Sequence, residues 1–134
     1  MIKKLLETLE NKLGKGAFLF KEIEGDMHLT LNEFTIMLKD LGKSLIFLGK
    51  IGKLDLVSMD EECWRLLGAA NFLGQGTGEG VISLSGEEEL FLRLEIKQPL
   101  RAEDLVDPLE LLLNLMQFWR NRLEKKLLLE LEKG

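Results

Sequence analysis

The stretch Leu66-Leu67-Gly68-Ala69-Ala70-Asn71-Phe72-Leu73-Gly74-Gln75-Gly76-Thr77-Gly78-Glu79-Gly80-Val81-Ile82-Ser83-Leu84 decides how this chain is read. An apolar helical run gives way to glycines alternating with polar residues, and a strand follows. Phosphate-binding loops have the opposite order: they follow a strand and open a helix, whose free amides meet the anion. Here the glycines follow a helix, whose end presents carbonyl oxygens that repel phosphate, and no GK[ST] occurs. The segment therefore reads as a helix-to-strand connection that tolerates left-handed backbone angles.

Working back from this stretch, Ser58 followed by Glu61 reads as a capping box opening a helix that runs to about Leu73. Over residues 17–50 the period changes to that of strands. Met27, Leu29 and Leu31, then Phe34, Ile36 and Leu38, then Leu45 and Phe47 alternate or cluster between turn-like breaks at 24–26, 31–33 and 40–42. Three strands in an antiparallel meander are predicted, with residues 17–23 as a lead-in or an extra strand. Ile2, Leu5, Leu6, Leu9 and Leu13 give an amphipathic first helix closed by Gly14.

Working forward, residues 81–85 and 90–97 flank Gly86-Glu87-Glu88 as a hairpin. Leu90, Leu92, Leu94 and Ile96 point one way, and Phe91, Arg93, Glu95 and Lys97 the other. Asp107-Pro108-Leu109-Glu110 starts a terminal helix carrying Leu109, Leu112, Leu113, Met116, Trp119 and Leu123 at spacings of three and four, continuing through Leu127 and Leu131. The order α-β-β-β-α-β-β-α predicts an α+β fold, an antiparallel sheet with helices packed on it. No repeat or linker divides the chain, so residues 1–134 are expected to form one domain.

Composition narrows the function. With 18 basic against 23 acidic residues the net charge is −5, and the cations recur from Lys3 to Lys133 among nearby glutamates without segregating. Direct binding of nucleic acid is therefore not expected. The single cysteine, Cys63, and the absence of a basic-then-apolar leader point to a reducing cytoplasm. No apolar run approaches the roughly 20 residues needed to cross a bilayer, so membrane insertion is not expected.

The catalytic inventory is thin. His28 is the one histidine, Cys63 the one thiol, and tyrosine is absent. Metal sites built from several His and Cys ligands are excluded, and any Ser/His or Cys/His arrangement would depend on a histidine in an alternating strand pattern. Cys63, near a helix start beside Trp64 and Leu66, reads as a core or interface residue. The runs 60–62 and 87–89 look like solvated carboxylates rather than an acid/base pair. No enzyme activity is expected.

The opening stretch also carries a resemblance. Leu66-Leu67-x-Ala69-x-Asn71, then Gly76-Thr77-Gly78 and the strand Val81-Ile82-Ser83-Leu84, resembles the centre of the class I type III secretion chaperones, the Tir chaperone family of Gram-negative bacteria. Length, acidity, element order, the 90–96 strand running into Pro99-Leu100, and the late Trp119-Arg120-x-x-Leu123 extend the likeness over essentially the whole chain. The aromatic character of residues 17–23 and the leucine-rich end after Leu123 depart from the family pattern.

The resemblance implies a small, usually dimeric, cytoplasmic protein without a cofactor. It would bind an extended N-terminal segment of a secreted effector or gatekeeper protein and keep it ready for export. The exposed apolar residues of an unfolded substrate need burial, and strand addition supplies sequence-tolerant hydrogen bonds. Carried over by element, the effector patches draw on Leu5, Leu9, Phe18, Phe20, Ile36 and Phe47. The dimer face, within a homodimer or a heterodimer with a related chaperone, draws on Trp64, Leu67, Ala70 and Val81. The alternative is a transcriptional regulator acting by protein contact, as an anti-activator or a ligand of an RNA polymerase or sigma subunit.

Overall fold

The computed structural model describes residues 2–14, 16–73, 81–84, 88–99 and 101–128. The glycine connection at 74–80, the hairpin turn at 85–87 and the end after 128, on which the sequence made predictions, lie outside the described residues.

Helix α1, Ile2–Leu13, buries Ile2, Leu6 and Leu9, one stripe at spacings of four and three. Gly14 follows with φ +101° and donates its amide to the Glu10 carbonyl at 2.8 Å, a left-handed helix end. Four strands come next: β1 Leu19–Ile23, β2 Asp26–Leu31, β3 Phe34–Asp40 and β4 Ser44–Leu54. The 17–23 lead-in is thus a strand in its own right. Its turn into β2, Glu24-Gly25, has positive φ at both residues (53° and 89°), the twist that a two-residue hairpin requires.

Helix α2, Glu61–Leu73, leads towards β5, Val81–Leu84, and β6, Glu89–Lys97. Its cap is Asp60 rather than Ser58: the Cys63 amide donates to Asp60 Oδ1 at 2.9 Å. Ser58 closes the short 3-10 turn Leu56–Ser58, donating to Asp55 Oδ2 at 2.8 Å, so its hydroxyl is already engaged when α2 begins. A second 3-10 turn, Ala102–Leu105, precedes α3, Val106–Leu123.

The strands form one antiparallel sheet in the order β1-β2-β3-β4-β6-β5. All three helices add buried residues to a single cluster with the sheet's inward side chains, among them Leu29, Ile36, Leu38, Leu45, Phe47, Leu92 and Leu94. Helix α3 contributes Leu109, Leu112, Met116, Trp119 and Leu123 from the predicted stripe. It reaches β4 closely because Gly49 has no side chain: a Cβ there would overlap the Met116 sulfur.

The terminal helix does not continue through Leu127 as expected, and Leu131 lies outside the described residues. The helix stops at Leu123, passes through a 3-10 turn at Glu124–Lys126, and ends in a two-residue strand β7, Leu127–Leu128, paired with Lys53 and Leu54 of β4. Two local demands favour the break. The Asp55 amide donates to the Lys126 carbonyl at 2.7 Å, and the Leu127 side chain covers Gly52 at 3.3 Å from where a Cβ would stand. The observed order therefore adds one strand before α2 and one after α3 to the predicted series.

Candidate partner-binding surfaces

An apolar groove of about 220 Å³ opens between the end of α1 and the first turns of α3. Leu9 and Phe18, each 3% exposed, lie in its lining with Leu31, Leu109 and Leu113, and Leu13 stands at its rim, 58% exposed. The last turn of α1 meets the segment before α3 through the exposed Lys12–Glu103 ion pair. Phe18 meets Phe20 at a centroid distance of 5.8 Å, so the aromatic pair noted in the sequence continues the apolar surface onto β1.

The structure thus brings together Leu9, Phe18 and Phe20 of the expected effector-binding residues, with Leu5 half-buried against the same core. Ile36 and Phe47 are corrected. Both are 0% exposed, at the centre of β3 and β4 beneath the helices, and present no surface to a partner. Leu13 was missed as a rim residue. It extends the α1 stripe, and a rim position is indistinguishable from a core position by spacing.

On α2, Trp64 is 45% exposed, whereas Leu67 is 7% exposed and belongs to the core cluster. The side chains of Ala70 and Val81 lie outside the described residues. Beside the start of α2, Val57 is 95% exposed and Leu56 is partly so, an apolar pair that the sequence reading passed over because it falls in a turn.

Burial, followed by the Asp60 hydrogen bond, pushes the Cys63 thiol up, away from the thiolate a nucleophile needs. The Cys63 amide holds the Asp60 carboxyl below its ordinary value. His28 stands on β2 opposite Lys21 and Met37 of the neighbouring strands. Among the described residues no cluster of three His, Cys, Asp or Glu side chains is placed to hold a metal ion, and no helix is long and apolar enough to cross a membrane.

The model of the Tir chaperone protein (CesT) family matches residues 4–120. Among solved structures, a chain of the HopA1–SchA chaperone–effector complex superposes with a TM-score of 0.68 at 18% identity, covering 90% of this chain and 93% of that one. A chain of the ExsC–ExsE complex gives a TM-score of 0.70 at 18% identity, with 90% and 91% covered. At this identity the likeness is one of fold. No curated protein matches the sequence.

Proposed function

The chain belongs to the Tir chaperone protein (CesT) family, and from that premise we propose that it is a type III secretion chaperone of the Gram-negative cytoplasm. It binds an extended N-terminal segment of a secreted effector or gatekeeper protein and keeps it competent for export. The observation that carries this reading is the groove between α1 and α3, apolar and open at Leu13. Burying apolar side chains of an unfolded segment in such a groove, at roughly 25 cal/mol per Å², opposes the segment's collapse and aggregation. The structural likeness to a chain of a chaperone–effector complex supports the same assignment.

The protein acts as a dimer, with itself or with a related chaperone. Trp64 on α2, together with Leu56 and Val57 just before it, supplies the exposed apolar anchors that interfaces concentrate.

Affinity capture of the tagged protein from its own host tests the reading. A secreted protein recovered at fixed stoichiometry with the native chain, and lost with Leu13→Glu at unchanged thermal stability, is the expected result. Recovery of no secreted protein, or recovery unaffected by Leu13→Glu, would remove the groove from the model. In the same preparation Trp64→Glu should lower the native mass.

A further inference from the structure

The sheet divides the chain's charge unequally. Strand alternation sends Leu45 and Phe47 of β4 and Leu92 and Leu94 of β6 towards the helices, and their neighbours to the opposite side. By the strand registers, Lys21, Lys39, Lys50, Lys53, Arg93 and Lys97 all stand on that opposite face. The strand carboxylates sharing the face are Asp26, Glu89 and Glu95, and each is taken by a cation beside it: Lys39–Asp26 at 3.8 Å, Lys50–Glu89 at 2.7 Å and Arg93–Glu95 at 3.1 Å. In a protein of net charge −5, the described strand residues give this face a surplus of positive charge. Along the sequence these cations look dispersed. The two-residue period gathers them.

The face is also more apolar than the wet side of an antiparallel sheet usually is. Leu19 is 67% exposed, Met37, Leu48 and Phe91 are half-buried, and Ile46, though 7% exposed, is no part of the core cluster. In register across the sheet run His28, Met37, Leu48 and Arg93, an apolar pair flanked by cationic or titratable neighbours. Towards β1 the face forms a hollow of about 360 Å³ lined by Leu19, Phe20, Lys21, His28, Thr30 and Thr35. Because the buried residues of all three helices belong to the cluster on the other side, no helix among the described residues covers this face.

We infer that the helix-free face of the sheet is a docking surface for an acidic, apolar segment of a partner protein. Apolar side chains of that segment settle on Met37, Leu48 and Phe91, while its carboxylates meet the cations around them. The surplus positive charge speeds approach and rejects basic segments. A phosphate backbone is a poorer match, since it offers nothing to the apolar residues and meets the negative remainder of the molecule. The surface is separate from the α1–α3 groove, which opens on the other side of the sheet, so the two stand or fall independently.

A short fluorescein-labelled peptide alternating glutamate with leucine and phenylalanine, and its counterpart with lysine for glutamate, test this by fluorescence anisotropy with the full chain. The glutamate peptide is expected to bind at least about tenfold more tightly, and to weaken as salt is raised. The exposed double variant Lys21→Glu/Lys97→Glu should erase that preference with an unchanged circular dichroism spectrum, and Leu13→Glu should leave it intact. Equal binding of the two peptides, or a preference that survives the charge reversal, would overturn the inference. Displacement of the peptide by a single-stranded oligonucleotide at lower concentration would overturn it too, by giving the face to nucleic acid.

Discussion

The Arg120 guanidinium lies 4.4 Å from the centroid of the Phe34 ring, joining the last turns of α3 to the first residue of β3. From there its Nε donates to the Ile51 carbonyl at 2.9 Å and one terminal nitrogen to the Lys50 carbonyl at 3.5 Å. These carbonyls fall between the last residue of β4 in register with β3, Gly49, and the first paired with β7, Lys53. One side chain therefore ties α3 to β4 as well as to β3.

Arg120→Ala should cost about 1–3 kcal/mol of unfolding free energy, from the lost cation–π contact and the lost hydrogen bonds to the Ile51 and Lys50 carbonyls. Arg120→Lys should recover less than half of that, because a single ammonium cannot lie flat on the ring and bridge two carbonyls at once. Urea unfolding of the variants measures both. Equal stability of the lysine variant and the parent would show that charge alone matters here.

The Gly49–Met116 contact makes a second prediction. Gly49→Val forces the buried Met116 thioether aside and should destabilise by about 1–3 kcal/mol. Met116→Ala alone leaves a cavity and should cost about 2–5 kcal/mol. Combined, the valine branches occupy space that the methionine has vacated, so the double variant should lose clearly less than the sum. Strictly additive losses in a double-mutant cycle would mean that α3 does not rest on Gly49.

How far the sequence carries can be judged from particular residues. The alternation from Leu90 to Ile96 and the stripe from Leu109 to Leu123 fix which side of each element is apolar, and the structure keeps Leu90, Leu92 and Leu94 buried along the strand and five of the six stripe residues along the helix. Periodicity does not tell what covers an apolar side chain. Phe47 and Phe18 look alike in sequence, yet one lies under α3 and the other lines a groove. The same limit hid Leu13. Strand β7 was unreadable for a different reason: its two residues follow a helical pattern, and the Asp55 amide and Gly52 that stop the helix are some seventy residues away in the chain. The basic face escaped because charge was counted along the sequence instead of across the sheet.

The start of α2 should respond to acid. Hydrogen bonding from the Cys63 amide holds the Asp60 carboxyl below its ordinary value, so the folded state binds its proton less readily than the unfolded chain. Its contribution to stability is then whole above the ordinary aspartate range and is lost as pH falls through the lowered folded-state value. The Cys63 amide resonance should report this titration in NMR, and Asp60→Asn should abolish it. The same carboxylate helps keep the Cys63 thiol protonated, after the larger effect of burial. Alkylation of Cys63 at neutral pH should therefore be slower than that of an unhindered cysteine and faster in Asp60→Asn. An alkylation rate that Asp60→Asn leaves unchanged would sever the link.

The C-terminal strap makes the last prediction. Leu127 and the Lys126 carbonyl hold the segment between β4 and α2 through the Asp55 amide, and Lys126 adds a weak ion pair to Asp60 at 3.9 Å. Truncation after Leu123 removes the acceptor of that amide without touching the β4–β6 ladder, which pairs from Ser44 to Lys53 on the other edge. Exchange of the Asp55 amide with deuterium should then accelerate towards the unprotected rate, while amides of the β4–β6 ladder keep most of their protection. Leu127→Asp should reproduce the effect, because a carboxylate placed against the core costs more than the two-residue pairing returns. Uniform loss of protection across the sheet would instead make the strap part of the global folding unit, and unchanged exchange at Asp55 would show that β7 does not hold this segment in solution.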